Sequence, residues 1–314
     1  MIIRPWWLKC IGQRVLSHVP AGYRLNALWR TKARVGVLNN ALLCQGIRYV
    51  RTLRELGFAL EGRVALEVGP GWNPVMPYIF RLAGCRKVVL CDATPHLTPR
   101  LLRATLRQMR EAAGVLASEL EITSAKVDDT LPRLGPQDFS SLLNESGFEY
   151  RAPYDLDQAD DLAGSIDLIS SHAVLEHVPR TKLLSLLRAM RRLLRPEGLT
   201  IHFIDHMDHW HHFDPGIGPL NFLKFPGWWW GVLNSPISHQ NRLRSAQHLA
   251  LVREAGFGVT HLESRVDPQA LEDARRLHLD REFRSFTPDE LAITSTFLVA
   301  RPAATVAGPH GFQQ

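Results

Sequence analysis

Val64-Ala65-Leu66-Glu67-Val68-Gly69-Pro70-Gly71-Trp72-Asn73-Pro74 decides the fold of this chain. Its first five residues are apolar but for Glu67, which reads as a buried strand. Gly69 and Gly71 then supply a tight bend, and Pro74 suits the first turn of a helix. A second apolar run, Lys87-Val88-Val89-Leu90-Cys91, follows and ends at Asp92. A strand, a glycine bend, a helix and a second strand ending in a carboxylate make a nucleotide-cofactor half-site in a doubly wound sheet.

What the bend lacks narrows the cofactor. A dinucleotide site needs a third glycine, so that bare backbone and a helix N-terminus face the pyrophosphate. Here that place is held by Pro74. The E-x-G-x-G form suits a cofactor without phosphates, such as S-adenosylmethionine (SAM), which carries a ribose, an adenine, an amino acid and a sulfonium. Glu67 is placed to position the glycine loop and face the cationic end. Asp92 is placed to accept hydrogen bonds from both ribose hydroxyls. Taken alone, the motif also describes a plain strand–helix corner.

Three further stretches lift the reading above that corner. Ser165-Ile166-Asp167-Leu168-Ile169-Ser170-Ser171 is another apolar strand, followed by His172-Ala173-Val174-Leu175-Glu176-His177-Val178-Pro179. Leu183, Leu184, Leu186, Leu187, Met190, Leu193 and Leu194 then recur at helical spacing. Arg195-Pro196-Glu197-Gly198 punctuates that helix, and Leu199 to Ile204 reads as the next strand. E-V-G-P-G, the acid at Asp92, I-D-L-I-S-S-H-A-V-L-E-H-V and L-L-R-P-E-G-L resemble, in order and spacing, the motifs of the class I SAM-dependent methyltransferases. The resemblance spans about residues 60 to 300. It implies an α/β fold with a seven-stranded, mostly parallel, Rossmann-like sheet. It also implies a SAM site formed by Glu67, Gly69, Pro70, Gly71, Asp92, Ala93, Ser171 and His172. In that family a short strand ends in an acid about a dozen residues before the aspartate of the next strand. Asp155 stands at that distance from Asp167, which makes it the partner of the adenine amino group, with Leu156 against the ring.

Composition fits a globular enzyme, with 45% hydrophobic and 22% charged residues. No run reaches the roughly 18 apolar residues of a membrane span, and the N-terminus lacks a secretory signal. The four cysteines, Cys10, Cys44, Cys85 and Cys91, show no paired metal spacing. They read as free thiols in a reducing cytoplasm. The net charge of +6 comes mostly from arginines three and four apart, such as Arg100, Arg103, Arg107 and Arg110, and Arg188, Arg191, Arg192 and Arg195. Such rows are solvated helix faces, or else they attract an anionic partner. No RNA-binding module is present, so nucleic acid is not expected as a partner.

The expected organisation is a helical cap over 1–60, a methyltransferase domain over 61–302 and a disordered tail over 303–314. The cap carries a stripe of Leu38, Leu42, Leu43, Ile47, Val50 and Leu53. Within the domain a helix follows Pro99, and a short helix runs from Asp138 to Glu145. Residues 206–244 form an irregular substrate-side insertion. Ser245 then caps a helix that closes at Gly256, and the last two strands span Phe257 to Glu263 and Thr294 to Arg301.

The insertion begins Asp205-His206-Met207-Asp208-His209-Trp210-His211-His212-Phe213-Asp214. It leaves the carboxyl end of a strand, where doubly wound sheets place their sites. The run I-D-x-x-D-H-x-x-H-F-D, with Asn221-Phe222-Leu223, Asn234-Ser235-Pro236 and Gln240-Asn241-Arg242, resembles a bacterial branch of the family associated with surface-polysaccharide and glycan gene neighbourhoods. Asp205, Asp208, His209, His212 and Asp214 match its pattern; His206 and His211 do not. A hydroxyl acceptor must lose a proton during transfer. His209, paired with Asp205 or Asp208, is the expected base, with His212 beside it. A hydrogen-bonded loop that only shapes the pocket is the alternative. Leu175-Glu176-His177-Val178 resembles the E-x-x-E-H motif of small-RNA 3′-terminal methyltransferases and some quinone-precursor O-methyltransferases, which bind a divalent cation. Ala173 stands where the first acid belongs, so no metal site is assigned. Trp228-Trp229-Trp230 reads as an insertion packed on its own domain, a pocket wall or lid, or a contact with the inner membrane face.

These observations point to O-methylation of a hydroxyl on a glycan, sugar or related small metabolite by a cytoplasmic enzyme. The alternatives are metal-assisted methylation of a phenol, quinone precursor or RNA end, and a non-catalytic partner with the same fold.

Overall fold

A computed structural model describes residues 5–19, 40–135, 138–214 and 216–303. Leu38 of the expected stripe and residues 304–314 of the expected tail lie outside the described residues.

Seven strands form one sheet: β1 (Val64–Val68), β2 (Lys87–Cys91), β3 (Phe148–Arg151), β4 (Ile166–His172), β5 (Leu194–Asp205), β6 (Phe257–Val266) and β7 (Ile293–Pro302). Their spatial order is β3-β2-β1-β4-β5-β7-β6, and β7 alone runs antiparallel to both neighbours. This is the doubly wound architecture that the alternation of apolar strands and amphipathic helices demands. The order reverses between β1 and β4, so the crevice outside their carboxyl ends is the topological switch point.

Helices cover both faces. In chain order they are α1 (Trp6–Ser17), α2 (Asn40–Glu55), α3 (Val75–Leu82), α4 (Pro99–Glu111), α5 (Ala113–Leu120), α6 (Ser124–Thr130), α7 (Phe139–Ser146) and α8 (Arg180–Leu193). After β5 come α9 (Gly227–Leu233), α10 (Ser245–Glu254), α11 (Pro268–Arg276) and α12 (Pro288–Leu291). The start of α4 follows from Thr98, whose side chain caps Leu101 N, with Pro99 in the first turn. One core packs α2 and α3 against β1 and β2 through Val50, Leu53, Ile79, Val88 and Leu90. A second packs α8 and α10 on the other face through Leu183, Leu187, Met190 and Val252. A third, smaller core joins α1 to the insertion and to α11 and α12 through Trp6, Phe222, Trp230 and Phe283.

Several local expectations need correction. Residues 206–244 are not wholly irregular: they hold α9 and three 3-10 turns, His209–His212, Asn221–Lys224 and Pro236–Ser238. Ser245 is the first residue of α10 rather than its cap, and Arg244 occupies the cap position. The Arg195-Pro196-Glu197-Gly198 stretch belongs to β5, because α8 ends at Leu193. α5, α6, α11 and α12 went unread because each is short and only its buried stripe marks it. The arginines of α8 and the start of β5 stay exposed and pair at the surface: Arg188 meets Glu254, Arg192 meets Asp160 and Arg195 meets Asp167. Cys10, Cys85 and Cys91 are buried free thiols, and burial pushes all three up to about 12.

Candidate active site

At the switch point lies a cavity of about 1130 Å³. Its floor is the bend between β1 and α3. Gly69 and Gly71 both hold positive φ, +70° and +59°, a conformation that favours glycine. A Cβ on Gly69 would also come within 2.7 Å of a Val174 methyl. The bend therefore presents backbone to the cavity, while Asn73 ties it to α4 by accepting from the Thr105 hydroxyl at 2.8 Å.

Asp92 stands beside the bend at the end of β2. Its Oδ2 accepts from Gly71 N at 3.2 Å, and its Oδ1 accepts from Thr94 N at 3.3 Å. A carboxylate offers about four lone-pair sites, so acceptor capacity remains for a diol. Burial raises its pKa against the opposing pull of His96. The His96 ring packs on Trp72 with centroids 4.4 Å apart, and both rings line the cavity. Pro70 and His172 line it too. His172 stacks on Phe203 at 4.9 Å, and burial pushes it down to about 4.

Glu67 is buried beneath the bend and accepts from the Ser170 hydroxyl. Burial pushes it up to about 8, so at neutral pH it is largely a neutral acid. It does not line the cavity, and neither do Ala93, Asp155, Leu156 and Ser171. The Ser171 hydroxyl bonds to His202 Nδ1 at 2.7 Å, while its carbonyl accepts from the Tyr49 hydroxyl at 2.9 Å. β3 ends at Arg151, not at an acid. Asp155 instead caps a 3-10 turn by accepting from Asp157 N at 3.0 Å, and Leu156 is buried in the second core.

The opposite wall comes from the loop after β5. His209 Nε2 lies 3.4 Å from Asp205 Oδ2, and both residues line the cavity. His212 joins them, its ring 6.5 Å from that of His209. Burial lowers its pKa, which favours the neutral imidazole. Asp208 is turned away: it is buried, caps Trp210 N at 2.9 Å and accepts from Asn221 Nδ2 at 3.0 Å. His206 is buried against Thr296, with its Nε2 2.9 Å from that hydroxyl. Of the tryptophan run, Trp230 is cavity wall, while Trp228 and Trp229 are exposed.

Side-chain-to-backbone bonds hold this loop. Gln240 Oε1 accepts from His209 N at 3.2 Å, and Gln240 Nε2 donates to Met207 O at 2.5 Å. Asn241 Nδ2 donates to the carbonyls of Leu175 and Val178 at 2.8 and 2.9 Å. Arg244 is fully buried and donates to the carbonyls of His206, Leu291 and Ile293, each at 2.7 Å. Sequence reasoning passed over Arg244, Trp72, His96, Lys9 and Gln13. Only the pairing of polar residues with an aromatic-rich loop could have flagged them.

The sheet order, the glycine bend and the carboxylate beside it define a class I SAM-dependent methyltransferase. Residues 45–262 match the model of a methyltransferase domain family, and the chain belongs to that family. No curated protein matches it. Among solved structures it is similar to a SAM-dependent methyltransferase from Mesorhizobium loti, at 16% identity over 80% of this chain and 96% of the other, with a TM-score of 0.44. A putative methyltransferase from Bacillus halodurans matches at 17% identity over 81% and 98%, with a TM-score of 0.43. A geranyl diphosphate methyltransferase in complex with SAM matches at 11% identity over 82% and 85%, with a TM-score of 0.46. Among the described residues no helix is long and apolar enough to cross a membrane.

Proposed function

We propose that this methyltransferase modifies a hydroxyl on a glycan, sugar or related small metabolite. In this reading Asp92 holds the donor's ribose hydroxyls, and the backbone of Gly69, Pro70 and Gly71 cradles its amino-acid end. Trp72 and His96 flank the nucleoside. When bound, SAM supplies a methyl carbon already activated for in-line displacement, so alignment is the protein's main task. The acceptor enters from the wall that carries Lys9, Gln13, Trp210 and Trp230. Aromatic faces beside polar donors suit a hydroxyl-rich ring. His209, oriented by Asp205, takes the hydroxyl proton as the oxygen–carbon bond forms. The products are a methyl ether, S-adenosylhomocysteine and a proton on the imidazole.

The observation that carries this reading is that the Asp92 bend and the His209–Asp205 pair open onto one cavity. General-base assistance is worth typically 10²–10⁴-fold. His209→Ala therefore leaves S-adenosylhomocysteine affinity unchanged and lowers kcat by about that factor, with little change in KM. Transfer from methyl-tritiated SAM to a panel of monosaccharides and nucleotide sugars measures the effect. Undiminished transfer by His209→Ala would remove the base from the mechanism.

A further inference from the structure

Among the described residues Glu176 is the one carboxylate with both oxygens buried and unpartnered. It lies in the turn after β4 at 1% exposure, and neither carboxylate oxygen has a hydrogen-bond partner. A buried acid left this way costs several kcal/mol if it ionises alone. Burial and the nearby Asp205 accordingly hold its pKa well above the usual carboxylate range.

Two imidazoles meet it. One ligand atom from each of Glu176, His177 and His209 lies within 4.8 Å of the other two. Three donors held at about 2.1 Å from one ion stand about 3.4–3.6 Å apart, so binding draws the set together by up to about 1 Å. The far side of each ring faces an oxygen. His177 Nδ1 lies 2.6 Å from the His239 carbonyl, and His209 Nε2 lies 3.4 Å from the Asp205 carboxylate. A carbonyl or carboxylate behind an imidazole fixes its tautomer, so the other nitrogen carries the lone pair. This arrangement is what ligating histidines show.

We infer that Glu176, His177 and His209 form a divalent-cation site in the cavity wall. One carboxylate and two imidazoles suit a transition-metal dication such as Zn²⁺ or Mn²⁺. His177 and His209 both line the cavity, so the remaining coordination positions face the acceptor. A cation there binds an acceptor hydroxyl and lowers its pKa. The inference rests on the methyl-transfer reading and changes one role within it. In the loaded enzyme His209 is a ligand, and the coordinated hydroxyl, its pKa lowered, gives its proton to solvent.

The site is tested by calorimetric titration of Zn²⁺ or Mn²⁺ into full-length, tag-free protein stripped with a chelator, with no donor or acceptor present. The wild type takes up one equivalent, and its thermal midpoint rises. His177→Ala loses that uptake. Asp205→Asn, which removes the group orienting His209, weakens it about 10- to 100-fold. Absence of saturable uptake of either ion by the wild type overturns the site. So does equal uptake by His177→Ala, which would place the ion elsewhere. S-adenosylhomocysteine binding by the same preparation tests the methyl-transfer reading separately, because donor and cation occupy different residues.

Discussion

Asp92→Ala yields a folded protein with no measurable affinity for SAM or S-adenosylhomocysteine. Asp92 sits at the end of β2 with each carboxylate oxygen engaged by one backbone amide. A carboxylate has about four acceptor sites, so two remain for a ribose diol, and Asp92 lines the cavity. Hydrogen bonds to an ionised acceptor contribute about 1.5–3 kcal/mol each. Loss of two corresponds to roughly 10²–10⁴-fold in affinity, and the Gly71 and Thr94 amides lose their partner as well. The fold survives because the sheet is closed by β1–β2 pairing from Val64 to Val68, which does not use the side chain. Calorimetry gives the affinity and circular dichroism confirms the fold. Retention of near-wild-type affinity by Asp92→Ala would move the nucleoside elsewhere in the cavity.

Stability peaks near pH 6 and falls on both sides. Among the described residues His202, His206 and His248 are buried and His172 is half-buried. Burial pushes His172 and His248 down to about 4 and His202 to about 3, and holds His206 well below the ordinary 6.5. Their folded pKa values are depressed, so their contribution is complete above pH 6.5 and is lost as pH falls toward 4. Four buried acids work in the opposite sense. Glu67 is pushed up to about 8, Glu176 lies well above 4.5, and burial raises Asp92 and Asp208. Their contribution is complete at low pH and is lost as pH rises through their folded pKa values. Between pH 6.5 and 4.5 the four imidazoles lose stability while the carboxyls regain part of it, so the acid side falls more gently than the imidazoles alone would give. Urea midpoints measured from pH 4.5 to 8.5 fall at both ends of the range. A flat profile from pH 5 to 8 would contradict this burial of uncharged groups.

The parts legible in the sequence are those set by local pattern. β1 and β2 read directly because unbroken apolar runs ended at glycine or acid, and both strands end where the pattern said they would. α8 read directly because Leu183, Leu187 and Met190 repeat at helical spacing on one buried face. The substrate-side loop resisted because its order comes from distant partners. Gln240 holds Met207 and His209, Asn241 holds the turn around Glu176, and Arg244 clamps three carbonyls from two segments. No short-range period encodes such bonds. Asp155 is a different case. An acid after a short strand serves a ligand and a turn cap equally well, and here it caps the turn. The Glu176–His177–His209 group was hidden because a motif with Ala173 at its first position gains its third donor from a loop more than thirty residues away.

Titration of S-adenosylhomocysteine into the wild-type chain, followed by a crystal structure of the complex, decides whether the bend is the donor site. One equivalent binds, with the ribose on Asp92 and the sulfur facing the wall that carries His209 and Asp205. Absence of binding heat, or a nucleoside seated away from the Gly69–Gly71 bend, would contradict this placement.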